Sequence, residues 1–139
     1  MKIKSYLCAI LAFCISTAAI AEEVVLIVNS DSAITSISAR DAMNIYLGKK
    51  SSWSNGTTVV PFSHGDDAIT GTFARTYVKK SAQQLDLYWR KLVFTGKGTP
   101  PEKFSDSKLM KRAVASRRGA IGYILKSELD GSVTQLNVQ

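Results

Sequence analysis

The spacing of apolar positions changes several times along this 139-residue chain. Glu23–Ser30, EVVLIVNS, is a continuous apolar run rich in β-branched residues, the pattern of a strand buried on both faces. ARDAMNIYL follows Ser38 with helical spacing, so Ser38 is the expected N-cap and Gly48 the C′ stop. SSWSNG reads as a turn tightest at Asn55–Gly56, and Thr57–Ser63 as a second strand whose Pro61 marks an edge or a strand exit. Pro61–Phe73, PFSHGDDAITGTF, leads from that strand into a helix expected to end near Lys79. Ser81 opens another helix, with Gln84 completing a capping box. Its Leu85, Tyr88, Trp89, Leu92 and Val93 have the rhythm of a buried face, and Gly96 ends it. GKGTPPEKFS reads as a loop stiffened by Pro100 and Pro101. Asp106 then caps a helix whose last turn carries Arg117 and Arg118, the charge order that the helix dipole favours. AIGYIL and SVTQLNV read as two closing strands.

This order predicts an α/β fold: a single domain with a mainly parallel sheet flanked by helices. Ligands of such sheets bind beyond the carboxyl ends of strands, here Asn29–Asp31 and Phe62–Asp67.

Residues 1–21 have a different composition. Lys2 and Lys4 precede an apolar run that ends in Ala19-x-Ala21, the three-part pattern of a secretory signal peptide cleaved after Ala21. The run is too short for a spanning anchor and no basic stop follows it, so export to the periplasm without a stable membrane anchor is expected. Cleavage removes Cys8 and Cys14, leaving 22–139 as one domain without a disulfide, a thiol nucleophile or a thiolate metal site. It also reduces 18 basic residues to 16 against 11 acidic ones, a formal charge of +5. Paired cations such as Lys79–Lys80 and Arg117–Arg118 would suggest nucleic acid in a cytosolic protein; export argues instead for a solvated basic surface facing anionic partners or envelope lipids.

The residues offer little for catalysis. Ser63 and His64 are sequence neighbours with no sign of a nucleophile–base contact. A zinc site would have to combine His64 with Asp66 and Asp67, and closed zinc sites prefer several N or S ligands. Asp31, Asp66 and Asp67 lack the alternating oxygen pattern of a calcium loop. Adjacent Asp66–Asp67 suit the first turn of a helix better than a glycosidase pair. Lys97 between Gly96 and Gly98 lacks the remainder of a P-loop. Trp53, Trp89 and the tyrosines are able to stack on a ligand, although Trp89 falls on the periodic apolar face. No cofactor, metal or catalytic residue is assigned.

Three stretches together resemble a known family: DAMNIYLGKKSSW (Asp41–Trp53), VVPFSHGD (Val59–Asp66) and RGAIGYI (Arg118–Ile124). Their order and spacing are similar to the second lobe of the periplasmic phosphate-binding proteins of ABC uptake systems, over about Val24 to Val138. The resemblance implies one lobe of a type II periplasmic binding protein. It also implies a non-catalytic solute-binding module for phosphate or another small oxyanion. Ser63, His64, Gly65, Thr70 and Thr72 would then contact the ligand, with Asn29 and Ser30 from the first strand's end. The family's loop reads Arg-Ser-Asp-Gly-Ser-Gly-Thr; here the arginine position is Phe62, and Asp66, Asp67 and Ala68 replace the last three residues. Weak or altered anion binding is therefore expected. The alternative is a module that keeps the fold and binds an envelope protein.

Overall fold

Why the first strand carries no polar face is clear from its two neighbours. In the computed structural model, which describes residues 22–139, β1 (Val24–Asn29) is buried at every position. Val24, Leu26 and Val28 enter one core with α1 (Ala39–Tyr46), α2 (Asp67–Phe73) and α3 (Ala82–Phe94). Val25 and Ile27 enter a second core under α4 (Ser107–Ala115). The expected signal peptide, its cleavage point, Cys8 and Cys14 lie outside the described residues.

The sheet has six strands among the described residues. They are β1, β2 (Ser36–Ile37), β3 (Val60–His64), β4 (Glu102–Phe104), β5 (Ala120–Leu125) and β6 (Val133–Val138), in the order β2-β6-β1-β5-β3-β4. β3 runs parallel to β4 and β5, and β2 parallel to β6, while β1 is antiparallel to both β5 and β6. The sheet is therefore mixed, and β1 runs opposite to β3.

Local chemistry fixes the helix starts. Ser38, Asp66, Ser81 and Asp106 each accept a hydrogen bond from the backbone N–H three residues on, and Ser81 with Gln84 closes the capping box. Each cap of this kind contributes about 1 kcal/mol. Gly48 and Gly96 end α1 and α3 in the left-handed region that suits glycine. α2 continues as a π-helical turn, Ala74–Val78, ending at left-handed Lys79.

Three expectations change and a fourth narrows. The GKGTPPEKFS segment contains the edge strand β4, whose three residues pair with Phe62–His64. Pro61 lies at a local edge and not at a strand exit: it is early in β3, pairs with Ile121 on one side, and precedes the first β4 contact at Phe62 on the other. α4 ends at Ala115, so Arg117 and Arg118 lie beyond its last turn. Val93 is 50% exposed, and on α3 only Leu85 is fully buried. Helical spacing identified the inward stripe but not its width, because α3 is covered along one narrow side. Gly122 allows α4 to lie close on the sheet, since a Cβ there would sit 2.6 Å from the Met110 sulfur.

Candidate functional site

β3 and β5 stay paired only over Val60↔Ala120 and Pro61↔Ile121. Past that point, polar groups of β3 take side-chain partners. Tyr46 donates its O–H to Phe62 O at 3.0 Å, with Ile121 O at 3.3 Å. Tyr123 Oη accepts from the His64 N–H at 2.9 Å. Phe73 stacks on Tyr123 at 3.7 Å between ring centroids and meets Tyr46 edge-on at 4.6 Å. Burial, reinforced by Tyr123, holds the Tyr46 hydroxyl well above the usual phenol range, so it remains a donor.

Against this aromatic floor lies a cavity of about 550 Å³ bounded by α2, α3, β3 and β4. Its polar lining comes from Ser63, Asp67, Thr70, Gln83, Asp86 and Lys103; Phe73, Leu85, Trp89, Pro100 and Pro101 form the apolar wall. Ser63 and Lys103 face each other across the β3–β4 register, which brings a hydroxyl and an ammonium to one side of the sheet.

Counting protons defines what the hydroxyls can do. Thr70 donates to His64 O at 2.8 Å, and its Oγ1 lies 3.2 Å from Tyr123 Oη. Ser63 Oγ lies 3.0 Å from the same phenol oxygen. Tyr123 has one proton and already accepts from His64. If it donates to Thr70, the Ser63 proton turns inward; if it donates to Ser63, the Ser63 proton is free for a ligand.

His64 is used differently. It is buried, its Nδ1 accepts from the Asp66 N–H at 2.9 Å, and its Nε2 lies 2.9 Å from Ser107 Oγ. An accepting Nδ1 requires the neutral tautomer with the proton on Nε2, which then donates to Ser107. Burial lowers the His64 pKa, against the opposing pull of Asp66, Glu128 and Asp106. The ring therefore ties the end of β3 to the start of α4, and both its nitrogens are engaged within the protein.

The expected ligand residues thus separate. Ser63 and Thr70 meet at the cavity. Gly65 does not line it; its N–H is donated to Phe104 O at 2.6 Å, and a Cβ there would crowd Phe104 O and Ser105 Cα at 3.0 Å. Thr72 is half-buried on α2 and does not line the cavity. Asn29 and Ser30 lie at the opposite rim. Asn29 Nδ2 donates to Val114 O and Ala115 O at the C-terminal end of α4, whereas His64 holds the N-terminal end at Ser107. Nine residues of helix separate those ends by about 13 Å. The reversed direction of β1 is the cause, since it sends Asn29 to the opposite edge of the sheet.

Phe62 points away from the cavity into the α4-side core, edge-on to Phe104 at 5.0 Å. Asp66 is the N-cap of α2, while Asp67 lines the cavity. Trp53 is buried and donates to Gly119 O at 3.1 Å. Trp89 is half-buried, donates to Tyr46 O at 3.2 Å, and presents ring surface to the cavity. Tyr123, Lys103 and Asp86 were not foreseen in the site. AIGYIL is a continuous apolar run with nothing local to single out Tyr123, and Lys103 required the β3–β4 pairing.

Several solved structures share this fold. A candidate phosphate ABC transporter substrate-binding protein from Clostridium perfringens, solved with bound phosphate, matches 84% of this chain at TM-score 0.66 and 22% identity. An ABC-type phosphate transport receptor from Vibrio cholerae matches at 0.59 and 15%, and PstS from Borrelia burgdorferi at 0.58 and 12%. The fold is that of one lobe of such proteins. The chain covers only 45%, 46% and 47% of these three structures, so it spans about half their length. No protein-family model matches the chain and no curated protein is similar to it.

Proposed function

We propose that this chain is an exported, periplasmic, non-catalytic binding module of the phosphate-receptor type, taking phosphate or another small oxyanion weakly in the cavity at Ser63, Thr70 and Lys103. The observation that carries the reading is the convergence of the Ser63 hydroxyl and the Lys103 ammonium in one open cavity of this fold, beside Thr70. Ser63 would donate to the anion with Tyr123 donating behind it, and Lys103 would supply charge. Engagement of both His64 nitrogens, and the pairing of Ser63 with a phenol instead of a base, support a non-catalytic role. Export rests on the pattern of residues 1–21.

Weakness follows from what surrounds those groups. Phe62 offers no guanidinium, the Gly65 and Asp66 N–H groups are already engaged, and Asp67 and Asp86 bring negative charge to the lining. An open site also leaves water free to screen every charged contact. Affinity should be at most about millimolar, near 4 kcal/mol. The apolar wall of Trp89, Pro100 and Pro101 supports a second reading, in which an envelope protein covers the cavity.

Calorimetric titration with phosphate at fixed ionic strength tests the first reading. Asp67→Asn removes one carboxylate without touching the Asp66 cap and should tighten binding by roughly fivefold, about 1 kcal/mol. Lys103→Ala should weaken it. Micromolar affinity in the unmodified protein would refute the weak-site reading. Absence of binding in both the protein and Asp67→Asn would favour the protein-partner reading.

A further inference from the structure

Among the described residues, the outer stripe of α3 has no partner. Phe94 is 93% exposed and Leu87 63%, and the seven-residue spacing puts them on one stripe. Neither lines the cavity, which meets α3 through Ala82, Gln83, Leu85, Asp86 and Trp89. The segment Lys79–Lys97 holds five basic residues, Lys79, Lys80, Arg90, Lys91 and Lys97, against one acidic residue, Asp86. That excess of four is most of the +5 carried by residues 22–139. Arg90 pairs with Asp86 at 2.9 Å, while Lys91 and Lys97 are exposed on either side of Phe94 in sequence.

We infer that this stripe is a peripheral docking face for an anionic lipid bilayer. Two protruding apolar side chains set among cations match an interface whose headgroups are negative and whose acyl boundary accepts aromatic and aliphatic groups. A bilayer needs no complementary pocket, and the stripe is a protruding helix surface. The cavity meets α3 mainly along another side, at Ala82, Leu85, Asp86 and Trp89; Gln83, in the first turn, is its one lining residue on the Leu87 stripe.

Co-sedimentation of the exported protein with vesicles tests this, comparing phosphatidylcholine alone with a mixture rich in phosphatidylglycerol. Binding should appear only with the anionic mixture and weaken steeply at high salt. The double variant Leu87→Ser, Phe94→Ser should lower the partition coefficient about tenfold or more. Lys91→Gln with Lys97→Gln should weaken binding by a similar factor. All variants share one N-terminus, so differences between them report α3 alone. Because both apolar side chains are exposed, the serine variant should keep its melting temperature. Equal binding by wild type and the serine variant, or no binding to the anionic vesicles, would overturn the inference. So would a concentration-dependent dimer abolished by the same variant, which would assign the stripe to a second copy.

Discussion

Replacing Tyr123 with Phe removes one oxygen and keeps the ring stacked on Phe73. The oxygen has three neighbours: His64 N at 2.9 Å, Ser63 Oγ at 3.0 Å and Thr70 Oγ1 at 3.2 Å. Ser63 and Thr70 line the cavity and can turn to water, so their losses are nearly neutral. The His64 N–H belongs to a buried residue and has no such recourse. An orphaned buried donor costs about 1–3 kcal/mol, so destabilisation by about 2 kcal/mol is expected. Urea unfolding should show this as a midpoint lowered by about 1 M, taking a slope near 2 kcal/mol per molar for a domain of this size. The slope itself should not change. A loss below about 0.5 kcal/mol would refute the reasoning, because it would mean that water replaces the phenol and the hydroxyl is not needed to seal the split between β3 and β5. The same variant should weaken phosphate binding, since Ser63 loses the donor behind it.

Three further outcomes follow from the packing. Burial depresses the folded pKa of His64 below its unfolded value near 6.5, so the unfolded chain takes up the proton first. Its contribution to stability is therefore complete above about pH 6.5 and declines as pH falls from there toward the folded pKa; His64→Gln should flatten this part of the urea-midpoint profile, and an unchanged profile would contradict the assignment. Trp89→Ala should cost about 2 kcal/mol, below the usual 3–5 for a buried aromatic because the ring is only half covered; a change under 0.5 kcal/mol would show that the ring serves the cavity alone. Gly122→Ala should cost about 2 kcal/mol by forcing Met110 and Val114 away from the sheet, and a stability gain would show that α4 can retreat without penalty.

Much of the fold was legible in local chemistry. The two-faced burial of VVLIVN and the starts of α1, α3 and α4 at Ser38, Ser81 and Asp106 depend on near neighbours, and each appears where the sequence put it. The direction of β1 did not, because nothing in VVLIVN records whether its neighbour runs parallel or antiparallel. That single unknown separates Asn29 from Ser63, since strand direction decides the rim to which a carboxyl end belongs. β4 escaped for a related reason: three residues after a Pro-Pro pair are a strand only because β3 lies beside them. β4 itself carries Lys103, the one cation lining the cavity among the described residues. His64 was read as a ligand contact on its position, and its two hydrogen-bond partners show that position and availability differ.

The central claim is that a small oxyanion binds weakly at the Ser63, Thr70 and Lys103 end of the cavity. The most direct measurement is an amide-shift titration with phosphate at constant pH and ionic strength, recorded on the isotopically labelled protein. The account predicts saturating shifts confined to residues 63–70 and the neighbourhood of Lys103, with a dissociation constant of about 1 mM. Shifts centred on Asn29–Ser30, shifts spread evenly over the basic surface, or saturation at micromolar phosphate would contradict it.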